Sequence, residues 1–300
     1  VKVLVAGDPR WLILPGLSAF FYVVSAICIK RAIVCGATQS VVNFNVNLLA
    51  AVVFQPLWFL AGEVDWSLAW MPIVAAFSFS IGQIFTFAAL RHGDVSLATP
   101  LLGVKVIFTV VVASVLFGED LSLKWWLAAL AGTMGVIFVT GAGLRTLIPR
   151  LLQPDAMAAL LAAAVFAFTD VLVQRWAPNF GIPAFMAIMF GGVGVISSIV
   201  FLVKDGRAVF RIPVGGRVPL FVGGAVLGAQ ALGMGVAIAM YGNATAANIV
   251  YASRSLWSIA LAWAMARFLL DYDRGNERGT LGGRLAGSML LIAAMVVVLF

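Results

Sequence analysis

Lys105 and Arg254 are cations set inside long apolar runs, 149 residues apart, and Asp170 is the acid that lies deepest inside such a run. A charge near the middle of a membrane helix costs roughly 2.5 to 3.5 kcal/mol on insertion scales, so such residues face a cavity, a partner or an ion path. Two cations can converge on a carboxylate or phosphate, Arg254 as a fork of donors and Lys105 as a point charge. Alternatively, each pairs with an internal acid or with carbonyls at a helix break and only holds the bundle together. Asp170 suits either a coupling proton or a fixed counter-ion for one of the two cations. Around Arg254, residues Asn248, Tyr251 and Ser258 form a polar stripe at helical spacing, and Trp257 is a candidate substrate wall. Lys105 has Thr109 one turn on.

Other polar residues in apolar runs are weaker candidates. Asn43 and Asn47 stand one turn apart, Tyr22 lies between Ser18 and Ser25, and Gln83 and Gln230 do not form a symmetric pair. Each suits a cavity wall or a hydrogen bond between helices. Phe185, Met186, Met189 and Phe190 read as packing, and Gly132 with Gly135 and the Gly191 to Gly194 run allow close helix approach.

The elements that carry these residues follow from composition. The chain has 300 residues, 63% apolar and 10% charged, with a mean hydropathy of +1.09, against roughly 25% charged in a soluble domain. About 20 apolar residues cross a bilayer, and ten runs qualify: 11–29, 40–60, 70–90, 95–117, 123–143, 157–175, 182–203, 216–240, 244–269 and 281–300. The runs are too long and too evenly apolar for barrel strands, so the expected class is an all-α integral membrane protein with ten transmembrane helices. The first run lacks a small-residue cleavage site and reads as a true span. The net charge of +7 lies in loops flanking the runs, where it sets orientation, and argues for a lipid bilayer rather than nucleic acid as partner. Cys28 and Cys35 have neither CxxC spacing nor a histidine cluster, so no metal and no cofactor are expected. The sole histidine, His92, sits at a helix boundary, and no catalytic motif or phosphate-binding loop is present, so an enzyme is not expected.

The chain repeats itself. Gly93 to Lys105 lies over Gly242 to Arg254 without a gap, and Ala131-Gly-Thr-Met134 matches Ala286-Gly-Ser-Met289. The expected organisation is two five-helix repeats, 1–148 and 149–300. Five is odd, so the second repeat enters the membrane inverted, an arrangement in which solute binds near the midplane and access alternates between the two sides.

The run Arg91-His-Gly-Asp-Val-Ser-Leu-Ala-Thr-Pro100, the boundary Leu116-Phe-Gly-Glu-Asp-Leu-Ser122 and the Trp- and Gly-bearing helix after it resemble the EamA-type repeat of the drug/metabolite transporter superfamily. The resemblance covers both halves, although Arg267-Phe-Leu-Leu-Asp-Tyr272 replaces the Gly-Glu boundary in the second. It implies a ten-helix carrier of small metabolites, amino acids among them. The expected function is secondary transport, by export or exchange, of a small solute bearing a carboxylate or phosphate across the cell membrane, with protons as a candidate coupling ion. The alternatives are a non-transporting scaffold or partner subunit, and a flippase for a lipid-linked headgroup. Oligomeric state stays open. Sidedness is in tension: Lys and Arg number four at the N-terminus and even loops against thirteen in the odd loops, which places both termini outside, whereas the family resembled usually keeps them inside.

Overall fold

The computed structural model describes residues 9–92, 101–139, 149, 151–268 and 281–299, all of them helix, turn or connecting segment. The helices are α1 Ile13–Val34, α2 Gln39–Phe54, α3 Trp70–His92, α4 Lys105–Val111, α5 Leu123–Val139, α6 Pro154–Phe180, α7 Ile182–Asp205, α8 Arg217–Tyr241, α9 Ala244–Tyr251, α10 Arg254–Phe268 and α11 Leu281–Leu299. Six stretches are long and apolar enough to cross a membrane: Arg10–Val34, Gln39–Leu60, Trp66–Thr86, Pro154–Phe180, Ile182–Phe210 and Val214–Tyr241. Leu101–Leu116, Leu123–Val139 and Leu285–Leu299 are shorter apolar helices. The ninth predicted span is present as two pieces, α9 and α10, so all ten predicted runs have a helical counterpart. This is an all-helical, multi-pass membrane architecture. Its outward faces fit that solvent, with Val195, Ile199 and Val203 of α7 at 60%, 60% and 83% exposure on successive turns.

Where the helices end, local chemistry explains it. Pro56 removes a backbone donor, and the second span continues past Phe54 as the 3-10 turn Gln55–Leu60. Asp65 caps the short turn Trp66–Leu68. The Ser67 hydroxyl, and after it the Ser67 backbone N–H, holds the Asp65 carboxyl below its ordinary range. α8 stops at Gly242, whose φ of +62° lies in the left-handed region glycine reaches without strain, and Asn243 then accepts the Ala246 N–H at 2.8 Å to start α9.

The chain divides into two compact units, each drawn from both halves of the sequence: Val1–Ser80 with Leu172–Gly242, and Ile81–Val171 with Asn243–Phe300. The first unit packs α1 and α2 on α8, and α2 on α7, through small residues. A Cβ on Gly194 would stand 2.7 Å from that of Ala51, and one on Gly224 2.5 Å from Leu49, so backbones approach as closely as side chains allow. The Ser25 hydroxyl donates to the Gly223 carbonyl at 2.7 Å, and Phe54 stacks on Phe190 with centroids 3.8 Å apart. Phe185, Met186, Met189 and Phe190 are buried and do the packing expected of them.

The second unit is built on α5 and α11. A Cβ on Gly287 would meet the Val139 nitrogen at 2.6 Å and the Gly135 carbonyl at 2.7 Å, so the two backbones touch. Val106 and Val110 of the fourth helix, Ile249 of α9 and Leu291 of α11 fill the core beside this contact. These apolar anchors hold the fourth helix and α9, and with them Lys105 and Asn248, in fixed register.

Candidate functional site

Lys105 and Arg254 each open a new helical segment directly after an interruption. In the fourth helix Val104 is a turn residue, and its carbonyl accepts from both Ile107 and Phe108 at 3.0 and 3.3 Å. In the ninth, Ala252 and Ser253 are turn residues, and the Ser253 carbonyl accepts from Leu256 and Trp257 at 2.8 and 3.1 Å. One turn on, the Thr109 hydroxyl donates to the Lys105 carbonyl and the Ser258 hydroxyl to the Arg254 carbonyl, both at 2.9 Å. All three bonds recur 149 residues apart. Tightening to i→i+3 bonds inside a span often marks a functional hinge, and back-bonding hydroxyls favour bending.

Asp170 of α6 belongs to the same compact unit as both cations, and its partner is Lys105. The ammonium lies 2.7 Å from Asp170 Oδ2, with the two side chains 20% and 17% exposed. Asn248 of α9 donates its amide to the same Oδ2 at 2.6 Å and also to the Ala244 carbonyl at 2.9 Å. Three elements therefore meet at one carboxylate oxygen. Charge-assisted hydrogen bonds of this kind run shorter and about twice as strong as neutral ones. The Lys105 ammonium also lies 6.0 Å from the centre of the Phe166 ring, one turn before Asp170.

Arg254 has a different setting. Its guanidinium carbon sits 4.9 Å from the centre of the Tyr251 ring, and Tyr251 itself is buried, an arrangement that orients the fork by cation–π attraction. Asn248 is 2% exposed, so the polar stripe of the ninth helix is buried at its Asn248 and Tyr251 end. At the other end Trp257 is 41% exposed and Ser258 is exposed. Thr109 is fully buried, its hydroxyl taken by backbone.

Gln83 of α3 shares the unit of Lys105 and Arg254 and is half-buried. Tyr22, Asn43, Asn47 and Gln230 belong to the other unit. Gln39 donates to the Asn43 side chain at 3.3 Å, and Asn47 donates to the Ser197 hydroxyl at 3.1 Å, joining α2 to α7. Asn45, between them, donates to the Val41 and Val209 carbonyls at 2.8 and 3.3 Å. Sequence reading passed over Asn45, Phe166 and Gly82. For Phe166 a signal existed, its i−4 spacing to Asp170; for Gly82 none did. The Gly93 to Pro100 part of the repeat signature and the Asp271 to Gly279 loop lie outside the described residues.

Gly82 is what makes room for Phe166. A Cβ there would come within 2.9 Å of the ring. Gly82→Ala is expected to push the ring aside and lower the unfolding temperature, at a cost of about 1–3 kcal/mol for an overpacked contact. Adding Phe166→Leu should restore it. Equal melting of Gly82→Ala and the parent chain would refute the contact.

Residues 9–141 match the EamA-like transporter family. Over that stretch the chain is similar to EamA-like transporters. An uncharacterized transporter of Archaeoglobus fulgidus is 31% identical to this EamA-like chain over 105 residues, which is 34% of this chain and 38% of that protein. The chain thus aligns with well under half the length of that curated relative. A solved crystal structure superposes with a TM-score of 0.67 at 17% identity, covering 96% of this chain and 97% of the other. At that identity the likeness speaks for the fold. The match over 9–141 contains Lys105 and its interruption, and Asp170 and Arg254 lie beyond it.

Proposed function

We propose that this EamA-like chain is a secondary transporter, an exporter or exchanger, of a small organic solute bearing a carboxylate or phosphate, with an amino acid as one candidate. Lys105 and Arg254 hold the acid group. Asn248 and Tyr251 position the two cations, and Trp257, Ser258 and Gln83 are further contacts. The observation that carries the reading is the Lys105–Asp170–Asn248 cluster at the mouth of a helix interruption that recurs before Arg254. Broken helices with charged groups at the break are how carriers expose backbone and charge to a solute within a bilayer.

In this reading residues 1–148 and 149–300 are two inverted repeats in a cell membrane, and access to the site alternates between its two sides. With no phosphate-binding loop in the sequence, uphill transport in this reading draws on an ion gradient or on solute exchange unless a separate ATPase subunit assists.

Counterflow in proteoliposomes against a panel of amino acids, organic acids and sugar phosphates tests the proposal. Accelerated uptake of at least one acidic solute, absent from empty liposomes, is the expected result. If no panel member moves, the transport reading fails for these classes. Movement of fluorescent lipid between leaflets would then point to a flippase, and silence in both assays to a scaffold or partner subunit.

A further inference from the structure

We propose that Asp170 is a built-in competitor for the solute: its carboxylate occupies Lys105 in the empty chain, the solute's acid group displaces it, and Asp170 takes up one proton as it lets go. The inference rests on the reading of Lys105 as a solute anchor and adds to it a rule for what must happen at the opposite charge.

Three observations carry it. Asp170 contacts Lys105 through a single oxygen at 2.7 Å, the point contact that a second carboxylate or phosphate can make equally well. The pair is not sealed, since about a fifth of each side chain is exposed. Asn248, 2% exposed and tied to the Ala244 carbonyl, stays behind as donor to the Asp170 oxygen when the lysine leaves. A carboxyl oxygen accepts that amide whether or not the group carries a proton.

Charge accounting then gives the coupling. The closed pair is neutral, and Lys105 with a bound monoanion is neutral too. The displaced Asp170 is left as a negative charge inside a span, the most costly kind of group to strand there. One proton from water, forming the O–H bond on the displaced carboxylate, returns the loaded site to the charge of the empty one. No other bond forms or breaks. Among the described residues, Lys105 of the fourth helix and the Asn248 amide of α9 face Asp170. Tyr251 and Arg254 are the ionisable groups further along the interrupted ninth helix. Each monoanion bound therefore brings one proton, and solute binding weakens as pH rises.

The test is binding to the purified full chain in detergent, with propionate and inorganic phosphate as probes, read by ligand-induced thermal stabilisation. Propionate is titrated slightly below and well above neutral pH, both far enough above its own carboxylic-acid pKa that its charge is constant. Asp170→Asn removes both competitor and proton acceptor, so it is expected to tighten the apparent Kd about tenfold or more and to flatten its pH dependence. Unchanged or weaker affinity, retained pH dependence, or no binding of either probe to Asp170→Asn would overturn the proposal. Should that variant not fold, Asp170→Ser removes the same carboxylate with a smaller side chain. It is expected to tighten binding and flatten its pH dependence in the same way, and unchanged or weaker affinity there overturns the proposal equally. Binding that follows these rules in a chain without counterflow sinks the transport reading and leaves the competitor standing. Counterflow with unaltered Asp170→Asn binding sinks the competitor alone.

Discussion

Arg254→Ala is expected to cripple acidic-solute counterflow, with the rate falling about 30-fold or more, while the chain stays folded. Truncating one partner of a desolvated charge pair typically costs 2 to 5 kcal/mol or more, which at 1.4 kcal/mol per decade spans this range. The fold should tolerate the loss, because alanine removes a charge whose placement in a span was itself unfavourable. Among the contacts the fold gives up is that with the Tyr251 ring, 4.9 Å away, worth about 0.5–1 kcal/mol. Arg254→Lys keeps the charge but loses the two-pronged geometry, so it should retain part of the rate. Counterflow read beside a thermal melt separates the two effects. An Arg254→Ala chain that transports like its parent would remove Arg254 from the site.

Gly287→Leu is expected to have the largest effect on folding. The atoms its Cβ would meet, the Val139 nitrogen at 2.6 Å and the Gly135 carbonyl at 2.7 Å, are backbone, and backbone cannot rotate out of the way. α5 and α11 would have to separate, at more than the roughly 1–3 kcal/mol of ordinary overpacking. Gly132 is the internal control. It matches Gly287 in the sequence repeat, yet its nearest neighbours to an added Cβ are the side chains of Val106 and Ala294 at 3.8 and 3.9 Å. Gly132→Ala should therefore melt at or above the parent temperature, helped by up to about 1 kcal/mol of helix propensity. If Gly287→Leu melts with the parent, the backbone contact is not there.

The contrast between Gly132 and Gly287 marks where sequence reading stops. Apolar runs long enough to cross a bilayer predicted the helices, because that demand is written in local composition. Lys105, Asp170 and Arg254 stood out for the same reason, as charges in apolar surroundings. Which cation takes Asp170 was open, since it depends on the rotation of α6 and the fourth helix about their axes, set by core packing around Val106, Val110 and Ile249. Gly132 and Gly135 looked like one motif, but the tight contact runs from Gly135 to Gly287 across 152 residues of sequence. The breaks before Lys105 and Arg254 were announced unevenly. Pro100 stands four residues before Val104 in the sequence, but no proline precedes Ser253 in its run, and Gly103 beside one break is Ala252 in the other. Each is made by backbone bonds that shift from i+4 toward i+3, a choice the side chains at Val104 and Ser253 do not announce. Likewise Asn43 and Asn47 share a helix face but have separate partners, Gln39 and Ser197.

The Lys105–Asp170 pair also determines how much of the site feels a voltage. A membrane field does about 2.3 kcal/mol of work per elementary charge per 100 mV. Joined at 2.7 Å, the two groups carry no net charge, so the field does essentially no work on moving the closed pair. Under the proposed exchange the loaded site is neutral again, with the solute anion on Lys105 and a proton on Asp170. A voltage then acts on this site through the solute and the proton as they cross the field to reach it, and not through the pair itself.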